Sequence, residues 1–177
     1  MHQTNCRGEL CHNYSMFILP FHSNEAMIEI VGGKGINLIK LSQAGFNVPA
    51  GFIICTNAYK AFIVQNNLQH LIDDALRRMT SIQPALIDSI SAEIRQAFSN
   101  GLVPEVVDQE LSEFFGPFKT IPVAVRSSAT FEDLPDLSFA GQQDTFLNIV
   151  GGTQLHEALK SCWSRFFRIQ RISYGMV

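Results

Sequence analysis

The stretch around Val123 to Ile149 constrains this chain most. An apolar run from Ile121 to Val125 stops at Arg126, a polar loop carrying Pro135 and Gly141 follows, and apolar alternation resumes at Thr145, Phe146, Leu147 and Ile149. The order is strand, loop, strand. The loop opens on a guanidinium at a strand end and two hydroxyls, Ser127 and Ser128, and Gly141 within it lets backbone come close to a ligand. That combination suits a polyphosphate. The rest of the chain must hold this loop and complete its site.

With 177 residues, 46% of them hydrophobic, the chain is long enough for one domain with a real core. A formal charge of −3 and a pI of about 5.9 give no broad basic footprint, which argues against nucleic acid as a partner. No apolar run reaches the roughly 18 residues of a membrane helix, and the first twenty residues lack the pattern of an export signal. No membrane partner is expected, and a cytoplasmic location is. The cysteines Cys6, Cys11, Cys55 and Cys162 are too few and too irregular for a disulfide framework, in keeping with a reducing compartment. Residues 1–15 show neither helical nor strand periodicity and read as a poorly ordered leader before a domain at 16–177. The spacing of His2, Cys6, Cys11 and His12 fits no common zinc pattern.

From the start of that domain, Phe17 to Leu19 reads as a short strand, and Ile28, Ile30 and Val31 lead into Gly32-Gly33-Lys34-Gly35. A helix is predicted from about Ile36 to Ala44, with Leu38 and Leu41 inward and a stop at Gly45. A glycine turn, a lysine and a helix start direct free backbone N–H groups and an ammonium at one point, the physical recipe for holding an anion. The spacing is not that of a Walker A loop, and taken alone the tetrapeptide reads more readily as a flexible turn with its lysine in solvent. Pro49 and Gly51 mark a bend before a buried strand from Phe52 to Cys55, and Thr56 is the predicted N-cap of a helix burying Tyr59, Phe62 and Ile63.

The middle third is helical and chemically quiet. Leu68, Leu71, Ile72, Ala75, Leu76 and Met79 form one stripe, with His70 on the surface. A helix starting near Pro84 buries Ile87, Ile90, Ile94, Ala97 and Phe98 and ends at Asn100-Gly101. Another starts near Pro104, uses Val107, Leu111, Phe114 and Phe115, and ends at Gly116-Pro117. After the opening stretch, Gly151-Gly152-Thr153 forms a turn and N-cap, and Leu155, Leu159, Cys162, Phe166 and Ile169 share a face of the last helix. Arg165, Arg168 and Arg171 read as a solvated stripe.

Lys34 and Arg126 lie far apart in the chain, yet each sits where a turn or strand opens onto ligand-facing backbone. Together with Ser127, Ser128, Gly141 and Thr145 they make a better phosphate site than either motif alone. Glu132, Asp133, Asp136 and Asp144 could approach a nucleotide's magnesium, but acidic residues around a proline more often cap turns, so none is taken as a metal ligand. No nucleophile has a candidate base nearby, and Cys55 and Cys162 fall in the apolar contexts of inert thiols.

Three segments carry a family resemblance. They are Val31-Gly-Gly-Lys-Gly-Ile-Asn-Leu38, Val48-Pro-Ala-Gly-Phe52, and Val125-Arg-Ser-Ser-Ala-Thr130 continuing through Ser138-Phe-Ala-Gly-Gln-Gln-Asp-Thr-Phe-Leu-Asn-Ile149. They closely resemble the N-terminal ATP-binding region of phosphoenolpyruvate synthase (pyruvate, water dikinase), which rifampicin phosphotransferase shares. The resemblance covers about residues 17–174, with the motifs in family order. Phe139-Ala-Gly-Gln-Gln is similar to this branch rather than to pyruvate, phosphate dikinase. Ile39 stands where the family often carries glycine.

The resemblance implies an α+β fold, the first lobe of an ATP-grasp domain, with a mixed sheet flanked by helices. It places Gly33, Lys34, Arg126, Ser127, Gly141 and Thr145 at the nucleotide, with Lys34 and Arg126 on the ATP phosphates. Arg126 takes the catalytic role of neutralising charge as ATP donates a phosphoryl group to a histidine. Magnesium would arrive with the nucleotide, on ligands outside this chain. The second ATP-grasp lobe and the histidine relay domain are the implied partners, since no histidine here stands in a relay-like Thr-Ser-His context. The lobe alone is expected to hold triphosphate weakly and to be inactive. The alternatives are the corresponding lobe of a rifampicin-phosphotransferase-like antibiotic kinase and a non-catalytic truncated module.

Overall fold

The structure, a computed structural model, describes residues 16–78, 84–128 and 145–164. Strand β1 (Ile18–Pro20) pairs antiparallel with β2 (Phe52–Ile54), Ile18 opposite Ile54 and Leu19 opposite Ile53. Side chains of a strand alternate between faces. Here Ile18, Phe52 and Ile54 join a large helical core, while Leu19, Ile53 and the following Cys55 join a small one against helix α1 (Ile28–Gln43). Because both faces of the pair are covered, its strands read as unbroken apolar runs.

Helices α2 (Thr56–Gln65), α3 (Leu68–Arg78), α4 (Pro84–Asn100) and α5 (Glu105–Phe115) follow, then a single 3-10 turn at Gly116–Phe118. Strand β3 (Val123–Arg126) pairs antiparallel with β4 (Thr145–Ile149), and α6 (Gly151–Ser164) packs against both. The large core centres on Phe62, Phe98 and Trp163. The Phe62 ring lies 4.9 Å from Trp163 and 5.6 Å from Phe98, and Tyr59 meets Trp163 edge-on at 6.1 Å. Burial pushes the Tyr59 hydroxyl up to about 12.

Two polar devices tie these elements together. The Glu110 carboxylate on α5 accepts the Phe17 N–H at 3.2 Å and the Ile18 N–H at 2.8 Å, which supplies partners for the leading end of β1. At the end of α4, Lys160 donates from α6 to the Ser99 and Gly101 carbonyls at 2.6 and 3.2 Å, a cation placed on a helix C-terminus. Asn66 completes this junction: its amide donates to the Leu102 carbonyl and its oxygen accepts the Leu102 N–H, each at 2.9 Å.

The α+β class stands as the sequence predicts it, as do the helix stripes among the described side chains, which do not include Leu76, with several local corrections. The described strands form two separate antiparallel pairs rather than one mixed sheet. Helix α1 begins at Ile28 and breaks at Gly32, which adopts φ 71°, ψ 171°. Past the break the inward face runs through Gly35 and Ile39, while Leu38 is half-buried and Leu41 exposed. Cys55, not Thr56, occupies the N-cap of α2; the Thr56 hydroxyl donates instead to the Glu29 carbonyl at 3.1 Å. Thr153 lies inside α6, and Gln154 accepts the Val150 N–H just ahead of it at 2.9 Å. The leader, Met79, Gly141 with the acidic loop, Phe166, Ile169 and the arginine stripe lie outside the described residues.

Candidate functional site

A helix start leaves its first backbone N–H groups without intrahelical partners. Past the break at Gly32, these groups belong to Gly33, Lys34, Gly35 and Ile36, the glycine turn of the sequence. Two of them are taken by a residue far along the chain: the Lys34 N–H donates to Ser128 Oγ at 3.1 Å and the Gly35 N–H to the same oxygen at 3.4 Å. The sequence predicts free donors at this point. The structure instead gives part of that capacity to Ser128.

The approach is close because Gly32 has no side chain. A Cβ at Gly32 would collide with Ser128 Oγ and lie 3.1 Å from the Ser128 carbonyl carbon and oxygen. The glycines therefore have separate jobs. Gly32 supplies a backbone conformation and room for Ser128. Gly35 lies against Ile53, where an added Cβ would come within 3.2 Å of Ile53 Cδ1, so it sets how closely α1 packs on β2.

Ser128 follows directly from β3. Arg126, two residues before it, pairs with Thr145 of β4. Along β3, Val123 and Val125 turn toward the large core, which leaves Ala124 and Arg126 on the exposed face, where Thr145 and Leu147 also lie. The structure thus gathers Gly33, Lys34, Arg126, Ser127 and Thr145 into one neighbourhood, with Gly33 buried, Lys34 and Ser127 half-buried, and Arg126 and Thr145 exposed. Gly141 lies outside the described residues. Cationic groups beside a helix N-terminus offer an anion both charge and hydrogen-bond donors.

Cys55 and Cys162 are buried and unpaired with each other. Burial, followed by the nearby Glu110 charge, pushes the Cys55 thiol up to about 12, so it stays protonated and unreactive near neutrality.

Residues 28–176 match the family described as "Pyruvate phosphate dikinase, AMP/ATP-binding domain". The chain belongs to this family. It is 35% identical over 179 residues to a "Probable phosphoenolpyruvate synthase" of Methanothermobacter thermautotrophicus, an alignment covering 98% of this chain and 26% of that protein. It is 37% identical over 165 residues to "Rifampicin phosphotransferase" of Bacillus subtilis, covering 92% and 19% respectively. With "Phosphoenolpyruvate synthase" of Neisseria meningitidis serogroup B it shares 39% identity over 157 residues, covering 83% and 20%. The chain spans about a quarter or less of the length of these curated relatives. Family membership makes it an AMP/ATP-binding domain, the nucleotide class that the phosphate-oriented motifs point to.

Two structural roles escape a sequence reading. Ser128 caps a helix whose start lies in a remote segment, so no local capping pattern marks it. Glu110 sits on an amphipathic helix where carboxylates normally face water, and only the docking of β1 reveals its role.

Proposed function

We propose that the chain is the first lobe of an ATP-grasp nucleotide-binding domain, spanning residues 16–177, in a phosphoenolpyruvate-synthase-like dikinase. The observation that carries this reading is the hydrogen bond from the Lys34 N–H to Ser128 Oγ, because it joins the glycine turn to the strand end bearing Arg126. In this reading Gly33, Lys34, Arg126, Ser127, Gly141 and Thr145 surround the nucleotide, and Lys34 and Arg126 meet its phosphates. As a bridging P–O bond of ATP breaks, the departing nucleotide keeps the bonding electron pair and gains charge, and a histidine nitrogen on a relay domain bonds the transferred phosphorus in its place. Arg126 stabilises that charge through position and electrostatics.

Magnesium would neutralise phosphate charge when it arrives with the nucleotide. In this reading its protein ligands lie outside this chain, and no step is routed through it. Among the described residues no helix is long and apolar enough to cross a membrane. A cytoplasmic setting, where ATP and reduced thiols coexist, fits the reading. Residues 1–15 would form a leader outside the lobe, and the lobe alone is inactive because the relay histidine and the opposite wall lie elsewhere.

A second reading keeps the nucleotide chemistry but delivers the phosphoryl group to a drug hydroxyl, and the relatives named rifampicin phosphotransferase favour it at comparable identity. Calorimetry of the chain with ATP tests the shared part: weak binding is expected, and Lys34→Ala is expected to remove most of it. Unchanged affinity in that variant would end the nucleotide-site assignment. In the longer protein this reading implies, Arg126→Ala is expected to slow ATP-dependent phosphorylation by about 100-fold or more, in line with loss of a transition-state donor. Supplying pyruvate or a rifamycin as acceptor then separates the two readings.

A further inference from the structure

We infer that Ser128 is the positioning residue of the phosphate site, a latch that fixes the Arg126 strand end against the Lys34 helix start. The inference rests on the nucleotide-binding reading and gives Ser128 a positioning role in it. Ser128 Oγ accepts from the backbone of Lys34 itself, at 3.1 Å, and from Gly35 at 3.4 Å. Its backbone lies against Gly32, whose φ of 71° and missing side chain make the space it occupies. Two residues upstream, Arg126 is locked by its pairing with Thr145. Two extended residues span about 7 Å, so fixing Ser128 on the helix start confines Arg126 to within triphosphate reach of Lys34.

Charge alone does not set that separation, since Lys and Arg side chains are long and rotamer-rich. The latch also tethers the β3–β4 pair directly to α1. A hydroxyl that accepts two N–H bonds keeps its own proton, which is then polarised toward whatever oxygen lies beyond it. Ser128 thus passes the helix N-terminal field toward the phosphates rather than blocking it.

The test follows the amide resonances of Lys34 and Gly35 in the 177-residue chain, first without ligand and then in titrations with ATP and with inorganic tripolyphosphate. In Ser128→Ala, and in the similarly sized but poorly accepting Ser128→Cys, hydrogen exchange at both amides is expected to accelerate. Affinity for both ligands is expected to fall about tenfold, or about 1.4 kcal/mol. Ser128→Thr restores exchange protection and affinity, whereas a purely volumetric role would favour the cysteine variant over the threonine one. Unchanged exchange, or binding in Ser128→Ala as tight as or tighter than wild type, overturns the latch; tighter binding would mean that the hydroxyl competes with phosphate for the amides. If Lys34→Ala weakens ATP binding while Ser128→Ala does not, only the latch fails. If neither does, or if the wild-type chain shows no response to ATP, the nucleotide site fails with it.

Discussion

Gly32 is the residue at which conformation and site meet. Its φ of 71° with ψ of 171° lies in a region essentially reserved for glycine, and Ser128 fills the space where a Cβ would stand. Gly32→Ala is therefore expected to lower the unfolding free energy by about 3 kcal/mol, from backbone strain plus the displaced serine, measurable as a reduced urea midpoint. Ser91 on α4 presents the opposite case. It is fully buried, and its hydroxyl finds no partner among the described residues. Replacing it with alanine removes an unsatisfied group and raises helix propensity, so Ser91→Ala is expected to stabilise the chain by about 1 kcal/mol in the same assay. A destabilised Ser91→Ala would mean that the hydroxyl is satisfied after all.

Elements are held in place by polar contacts at their ends. Glu110 satisfies two β1 donors at once, so Glu110→Ala leaves the Phe17 and Ile18 N–H groups without a partner and is expected to cost about 2 kcal/mol, with Glu110→Gln milder because it keeps an acceptor. Thermal unfolding followed by circular dichroism ranks the two variants. This scale also shows what the sequence encodes legibly. Among the described side chains, helices α3, α4 and α5 pack inward the residues their 3.6-residue stripes predict, because each presents an apolar face to the core. In helix α1 the sequence favours Leu38 and Leu41 as inward residues because glycine carries no apolar signal, but the inner face runs through Gly35, which packs on Ile53, and Ile39. Lys34, Arg126 and Thr145 are legible as motif residues; pairing of β3 with β4 brings Arg126 and Thr145 together, and Lys34 joins them only through Ser128. Ser128 reads in the sequence as one hydroxyl of the phosphate site; that its oxygen meets the α1 amides is a tertiary fact.

Across the whole molecule, the short β1–β2 pair is shared by two cores and so decides whether they unfold as one. Cys55 lies in the small core, and Trp163, the only tryptophan, lies in the large one. The Cys55 thiol is raised from 9.0 to about 12, by burial first and the Glu110 charge second, and the Tyr59 hydroxyl from 10.0 to about 12 by burial. A raised acid favours the protonated form in the folded state. Its stabilising effect is complete below the unfolded value and is lost as pH climbs through the folded one. Stability is therefore expected to begin falling near pH 9 as the unfolded thiol ionises, and more steeply above pH 10 as Tyr59 joins. Trp163 fluorescence and far-ultraviolet circular dichroism are expected to report the same urea midpoint at every pH, because ionising a group in the small core drags the shared strands out of the large one. Cys55→Ala lowers stability at neutral pH through the lost volume but flattens the fall between pH 9 and 10. If the Trp163 transition instead stayed fixed over that interval while the circular dichroism transition moved, the two cores would be separate cooperative units, and β1–β2 would not couple them.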